Sequence, residues 1–220
     1  MNILALDTST KRISIAYKNE TNVVSVTFEG KDKHGRNIGI LAKYLKEIGV
    51  NFSTLDVIGV GIGPGSLTGL RVGISLALGL AVEKKIVSVP STKLIAANLM
   101  YCSKNIVVAR KARQGYLYGA VYDENLDEII SPFIETIEGF KRKVSFLKDA
   151  IVVGDGADLL FEYEKAEEFL SFPDPLRMLN IVEDEIKNQN FVEKLNPLYL
   201  QKSIAELNFE KRKGGRVEKT

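Results

Sequence analysis

The same order of expected elements occurs twice along this chain, and that repetition limits the possible folds more than any other feature. In the first half, Ile3–Leu6 is a short apolar run of strand type. Two alternating segments, Arg12–Tyr17 and Asn22–Phe28, flank the turn Lys18-Asn19-Glu20-Thr21. The period then changes: Ile38, Leu41, Leu45 and Ile48 recur at helical spacing, with Gly49 as the C-cap. A strand over Asp56–Gly61, an apolar helix over Leu67–Glu83, a strand over Ile86–Val89 and a helix from Ser91 to Leu99 complete the set. The second half repeats it. Strands are expected over Asn105–Ala109, Tyr116–Tyr122 and Glu128–Ile134, a helix over Glu138–Leu147, a strand over Ile151–Val153 and a helix over Gly156–Phe169. The glycines recur too: Gly61-Ile62-Gly63 follows the fourth strand of one half, and Gly154-Asp155-Gly156 that of the other. A period of roughly a hundred residues means a duplicated domain and not a solenoid. The expected division is a first lobe over 1–100, a second over 101–209 and a basic tail over 210–220. A further helix begins at Asp174-Pro175, with its acid at the N-cap and proline at the first position.

Two βββαβα units with a cleft between them form the plan of the actin, hexokinase and heat-shock-protein ATPase (ASKHA) superfamily, an α/β, RNase H-like architecture. That resemblance is one of topology. It implies a cleft of nucleotide-binding type and no particular function.

Composition narrows the function classes. A net charge of +2 gives no broad basic surface for nucleic acid or membrane. The longest apolar run, Val72–Val82, is far below the ~20 residues of a membrane span. The first residues, Met1 to Asp7, lack a basic segment and carry an acid, unlike a secretory signal. A single cysteine, Cys102, permits no internal disulfide and suits a reducing cytoplasm. A single histidine, His34, excludes any metal site built on two histidines.

Three loops are placed to carry chemistry. Asp7-Thr8-Ser9-Thr10 could hold a phosphate through hydroxyls and amides, with Asp7 orienting a magnesium-bound water, or it could be a capped strand-end turn. Its counterpart, Arg110-Lys111-Ala112-Arg113-Gln114-Gly115, contains no carboxylate, so it could bind an anion but offers a magnesium ion nothing. The carboxylates left for catalysis in the cleft are Asp7 and Asp155, the latter within Gly154-Asp155-Gly156. The third loop, Gly61-Ile62-Gly63-Pro64-Gly65-Ser66-Leu67-Thr68-Gly69, is neither a Walker A loop nor a dinucleotide G-x-G-x-x-G. It is a tight strand-to-helix turn in which Ser66 or Thr68 caps the helix.

That helix is apolar on every side, so it must be covered all round. Gly69, Gly73, Ala77 and Ala81 make a small-residue ridge beside Leu70 and Ile74. The ridge suits close approach of a partner's backbone; the alternative is a central core helix. With Ile38, Leu41, Tyr44 and Leu45 of the preceding helix it forms the expected partner interface.

The run Gly63-Pro64-Gly65-Ser66-Leu67-Thr68-Gly69-Leu70-Arg71-Val72-Gly73 resembles the signature of the TsaB (YeaZ) family. Ile3-Leu4-Ala5-Leu6-Asp7-Thr8-Ser9, Val152-Val153-Gly154-Asp155-Gly156-Ala157 and Pro197-Leu198-Tyr199-Leu200 are also similar to it, so the likeness extends from Asn2 to about Gln201. The resemblance implies a non-catalytic paralogue of TsaD, the subunit that transfers the threonylcarbamoyl group to adenosine in tRNAs reading ANN codons. It implies pairing with a TsaD-like protein through the first lobe, a TsaE-like ATPase in the complex, homodimers in some members, contact with tRNA only through the assembly, and no membrane. It also implies no tightly bound cofactor and no metal, with ATP or ADP as a ligand of the complex. At Asp7, Thr8, Ser9, Gly154, Asp155 and Gly156 it leaves a vestigial nucleotide site. The paralogue's metal-binding histidine pair is not matched, since Ile38 stands four residues after His34. The chain departs from its own family at Lys111, where Asp is usual, at Tyr116, where Glu is usual, and in Lys33-His34-Gly35-Arg36, which lacks the usual Ser-Glu. Two rival readings remain: a stand-alone enzyme of the same fold (small-molecule kinase or metallopeptidase-like), and a homodimeric binding protein.

Overall fold

A computed structural model of the chain describes residues 1–30 and 34–200, the side chains of 34–36 excepted. The side chain of His34, the loop to its N-terminal side and the basic tail over 210–220 lie outside the described residues.

The first lobe is a five-stranded sheet ordered β3-β2-β1-β4-β5, from β1 (Ile3–Asp7), β2 (Arg12–Lys18), β3 (Val23–Glu29), β4 (Val57–Gly61) and β5 (Lys85–Val89). The second repeats the order as β8-β7-β6-β9-β10, from β6 (Asn105–Lys111), β7 (Tyr116–Tyr122), β8 (Glu128–Thr136), β9 (Ala150–Val153) and β10 (Glu164–Lys165). In each, a hairpin-linked antiparallel trio joins parallel strands, β1 with β4 and β6 with β9. Central β1 and β4 are buried at every residue, as continuous apolar runs covered on both faces must be. Edge strand β3 alternates and stays largely exposed.

The helices explain why the two lobes form one body. α1 (His34–Glu47) and α2 (Leu67–Leu80) lie side by side on the outer face of the first sheet, where Leu41, Leu45, Leu70, Ile74 and Ala77 pack with Leu4, Leu6, Ile15, Ile58 and Val60. α4 (Ile137–Val144) covers the outer face of the second sheet through Phe140 and Val144. The remaining helices change sides. α3 (Ser91–Ala96) follows the first sheet but packs on β6 and β7, while α5 (Pro175–Lys187) follows the second sheet but packs on β1, β2, β3 and β5. Their buried residues Leu94, Ile95, Met178, Leu179 and Val182 share one core with both sheets. The expected boundary near residue 100 is therefore crossed: α5 returns to the first lobe, and Val192 and Leu198 donate backbone hydrogen bonds to Ile86 and Ile62 there.

Most of the expected elements form, and the expected caps are made. Ser66 Oγ accepts from Gly69 N (3.2 Å), and Asp174 Oδ1 accepts from Leu176 N (3.0 Å) and Arg177 N (2.9 Å). The helix expected over Gly156–Phe169 does not form. Two 3-10 turns, Ala157–Leu159 and Glu168–Ser171, bracket β10 instead. Only ten residues separate β9 from β10, too few for the helical crossover that normally joins parallel strands. α2 also ends at Leu80, short of Glu83, and Glu83 takes a positive φ of 60°.

Candidate functional site

The cleft between the lobes is where the three loops singled out in the sequence meet. Asp7, at the end of β1, is 1 % exposed. Its carboxylate is engaged at both oxygens: Oδ1 accepts from Ser9 N (2.9 Å) and Ser9 Oγ (2.8 Å), and Oδ2 accepts from Ser91 Oγ (2.5 Å). Ser91 Oγ in turn accepts from Gly63 N (2.9 Å). Thr8 Oγ1 donates to Gly69 O (2.7 Å). The hairpin expected to hold a phosphate is thus folded onto the glycine-rich turn, and Asp7 and Thr8 do not reach the cleft. This arrangement fits the capped-turn alternative: both Asp7 oxygens already accept from serine donors, and Asp7 is buried away from the residues that line the cleft.

The signature glycines are explained by the same contact. A Cβ on Gly61 would lie 1.9 Å from Asp7 Oδ2, one on Gly65 2.4 Å from Ser9 O, and one on Gly73 2.2 Å from Thr8 Oγ1. These positions have no room for any side chain. Gly154, at φ +118°, is pressed against Ala109 in the same way, with a Cβ position 2.2 Å from Ala109 O, and Gly156 N donates to that oxygen. Of the vestigial nucleotide set, only Ser9 and Asp155 line the cleft.

Arg110 bridges the lobes. It leaves β6 only 6 % exposed, and its guanidinium donates to Pro64 O (2.8 Å), Ser9 Oγ (3.3 Å) and Ser9 O (3.2 Å), all on the first lobe. Its nearest carboxylate is Asp155, at 4.0 Å. Sequence reasoning placed Arg110 in a loop and missed this bridge; the only signal was a cation at the end of an otherwise apolar strand. Nearby, burial pushes the Tyr118 hydroxyl above its ordinary pKa, while Arg110 and Arg113 oppose that shift. Among the described residues no group of three or more His, Cys, Asp and Glu side chains gathers where a metal could sit.

The expected partner interface divides in two. Gly69, Leu70, Gly73, Ile74 and Ala77 are buried against the chain's own first sheet, as are Ile38, Leu41 and Leu45, so the chain itself covers these eight. The reason is phase: the small-residue ridge faces Thr8 and the sheet, which need the close approach themselves. Ala81 is half-buried. Tyr44 is 50 % exposed, and further apolar residues outside the expected set are exposed with it: Ile40 on α1, Leu78 on α2, and Ile48 and Val82 in the turns just past their ends. Ile40 and Tyr44 share one face of α1 at spacing of four, with Ile48 in the turn that follows, separate from the buried Ile38–Leu41–Leu45 set.

Two mixed five-stranded sheets of identical order, with reciprocal helices and a cleft between, define a bilobal protein of the actin-like ATPase fold. Its first hairpin is folded onto the glycine-rich turn. Among solved structures, "YeaZ from Pseudomonas aeruginosa" shares the fold with a TM-score of 0.78 at 23% identity, over 90% of this chain and 99% of that one. MreB5 of Spiroplasma citri bound to ADP aligns with a TM-score of 0.50 at 9% identity, over 86% and 98%. Residues 28–146 match the family model described as TsaD: tRNA N6-adenosine threonylcarbamoyltransferase. The tRNA threonylcarbamoyladenosine biosynthesis protein TsaB of Bacillus subtilis is 30% identical over 67% of this chain and 70% of its own length. The TsaB protein of Haemophilus influenzae is 26% identical over 93% and 95%. The chain belongs to the TsaB (YeaZ) family.

Proposed function

We propose that this chain is a non-catalytic scaffold subunit in threonylcarbamoylation of adenosine in tRNAs reading ANN codons. It acts by pairing with a TsaD-like catalytic subunit through the outer face of α1 and α2, in an assembly completed by a TsaE-like ATPase. tRNA is met through the assembly, any ATP or ADP belongs to the complex, and the setting is cytoplasmic. The observation that carries this reading is the sealed Asp7: the carboxylate where an actin-like enzyme would organise magnesium is spent on Ser9 and Ser91. The names of the relatives supply the pathway, and the exposed residues Ile40, Tyr44, Ile48, Leu78 and Val82 supply the surface. Of these, Tyr44 is of the type enriched among the few residues that carry most interface energy.

The same stripe would also serve a homodimer, which is the second reading. A stand-alone kinase or metallopeptidase-like enzyme is disfavoured by the closed hairpin. The test is reconstitution. tRNA modification by purified TsaD-like and TsaE-like proteins should depend on this chain, and affinity purification from the native cell should recover the TsaD-like protein. Full modification without this chain, or recovery of the chain only with itself, would sink the proposal.

A further inference from the structure

The edge of a sheet is a row of unpaired backbone groups that invites another strand. The two sheets have four such edges, and three are blunted. β5 is covered where Val192 N donates to Ile86 O (2.9 Å), and Lys85 lies over the Phe191 ring. β10 is two residues long, and both are charged. β8 carries Pro132, and its register with β7 shifts between Gly119 and Tyr122. The fourth edge, β3, has none of these devices. All seven of its residues pair with β2 in continuous register, it holds no proline or lysine, and its one charged residue, Glu29, stands at its end. Val23 is 55 % exposed and Phe28 37 %. Among the described residues no backbone group of Val23–Glu29 bonds to anything except β2.

The alternation of an antiparallel ladder says which groups face out. Asn19 N donates to Asn22 O (3.0 Å) at the turn between β2 and β3, so these two form a hydrogen-bonded pair. Counting from it, Val24, Val26 and Phe28 bond toward β2, while Val23, Ser25, Thr27 and Glu29 turn N–H and C=O outward. A second β3, antiparallel and centred on Val26, meets that row residue for residue. Val26 then faces itself, Val24 faces Phe28 of the other copy, and Ser25 faces Thr27. Aromatic with β-branched, and hydroxyl with hydroxyl, are favourable cross-strand pairs. Glu29 falls opposite Val23, whose neighbour on β2 is Lys18. The carboxylate therefore lies between its own Arg12 and the other copy's Lys18, and no two like charges are opposed. We infer that β3 pairs with β3 of a second copy of this chain, joining two first sheets into one across a two-fold axis at Val26. The inference does not rest on the scaffold reading. β3 shares no residue with the exposed stripe of α1 and α2, so self-association is placed on a different surface from that of the homodimer reading above.

A contact built on one seven-residue strand is at the small end of interfaces, so the dimer should be weak. The experiment is sedimentation equilibrium of the full chain from micromolar to millimolar concentration, where a reversible monomer–dimer transition is expected. Thr27→Pro removes only an outward N–H, and Ser25→Lys puts a cation on the edge; each should raise the dimer Kd roughly tenfold or more. Melting temperatures are measured beside them, and Ser25→Lys keeps the test if Thr27→Pro does not fold. Tyr44→Ala should leave self-association as it was. Cross-linking fixes the register. In a Cys102→Ser chain, Val26→Cys should yield a disulfide-linked dimer, because a non-hydrogen-bonded pair brings Cα atoms to about 4.5 Å, inside the roughly 4.4–6.8 Å that a disulfide spans. Ser25→Cys, whose two copies sit on a diagonal, and Lys148→Cys on the exposed surface of the second lobe should link far more slowly. A chain that stays monomeric at millimolar concentration would overturn the inference. So would dimerisation lost in Tyr44→Ala but kept in both β3 variants, or cross-linking no faster at residue 26 than at residue 148. Loss of the TsaD-like partner in the β3 variants, with self-association unchanged, would assign the edge to that protein and overturn it too. The tRNA modification assay is read separately, so the two proposals fail independently.

Discussion

The cleft and the outer helical face reverse the normal distribution of side chains. Behind and beside the cleft, Asp7, Thr8, Ser9, Ser91 and Arg110 are polar or charged and all buried. On the outer face of α1 and α2, Ile40, Tyr44, Ile48, Leu78 and Val82 are large, apolar and open. Buried polar groups survive only when hydrogen-bonded, and in the cleft they are, chiefly to one another. Exposed apolar residues on adjacent helices need another reason, and a partner surface is the economical one. The difference teaches that between the lobes polar groups are spent on one another, with Arg110 tying the second lobe to Ser9 and Pro64, while the apolar surface left open lies on the opposite side of the first sheet.

The largest expected effect tests whether the glycine ridge belongs to the cleft side of this comparison. Gly73→Leu drives a side chain into Thr8 and should destabilise the fold by about 3 kcal/mol or more, lowering the melting temperature by roughly 6–12 °C for a chain of this size. Thr8→Ala should restore part of the loss in a Gly73→Ala background, because it removes the Oγ1 that a Cβ at residue 73 would strike. A Gly73→Leu protein of normal stability that has lost partner binding would return the ridge to the interface.

Asp7→Asn comes next. Asparagine keeps an acceptor oxygen for the two Ser9 donors but loses the charge and places an NH2 where Ser91 Oγ now donates, so about 2 kcal/mol of stability should disappear in urea unfolding. A carboxylate kept for catalysis behaves oppositely, its neutralisation leaving the fold intact and abolishing turnover. An Asp7→Asn protein that is as stable as the parent, with loss of a measurable ATPase rate, would break the comparison.

Much of this was legible in the sequence, and what was not has physical causes. Element order and duplication could be read because apolar runs and alternation survive in the first nine strands; β10, Glu164–Lys165, carries neither. The closing of the Asp7 hairpin could not, because it depends on Ser91, eighty-four residues away, and no local pattern links them. The ridge was misassigned because an all-apolar helix gives no phase: Leu70 and Leu78 look alike in sequence, yet one is 1 % and the other 49 % exposed. On α1, where polar residues do set a phase, Leu41 and Leu45 could have been recognised as core and Ile40 and Tyr44 as surface. The missing helix after Gly156 was a failure of distance, since the spacing of apolar residues says nothing about how near the next strand lies.

On the outer face the expected effects are smaller for the fold and confined to binding. Tyr44→Ala and Leu78→Glu should each leave stability within about 0.5 kcal/mol and weaken the TsaD-like partner by about 1–2 kcal/mol, roughly five- to thirtyfold. Partner affinity by calorimetry, measured beside thermal unfolding, separates the two. Unchanged affinity in both variants would move the contact elsewhere.

The smallest effect sets an exposed carboxylate against the buried Asp7. Glu29 closes the edge of the first sheet, where Lys11 Nζ (2.7 Å) and Arg12 Nε (2.8 Å) hold it, and hydrogen bonds from these two cations lower its pKa. Arg12 is itself fixed, its guanidinium 4.1 Å from the centre of the Phe172 ring. A carboxylate whose folded pKa lies below the unfolded value adds stability that is present in full above the unfolded pKa. That contribution is lost as pH falls through the folded pKa. Because the Glu29 side chain is 40% exposed, solvent screens the pair, and Glu29→Gln should cost about 0.5 kcal/mol or less at pH 7. The gap between parent and variant should close as the pH falls below the folded pKa of Glu29, and at pH 7 it should shrink in high salt. Urea midpoints at neutral and acidic pH, with and without salt, measure this directly. A cost at pH 7 as large as that of Asp7→Asn would mean that exposure does not separate the two carboxylates, and the contrast between sealed cleft and open surface would lose its electrostatic half.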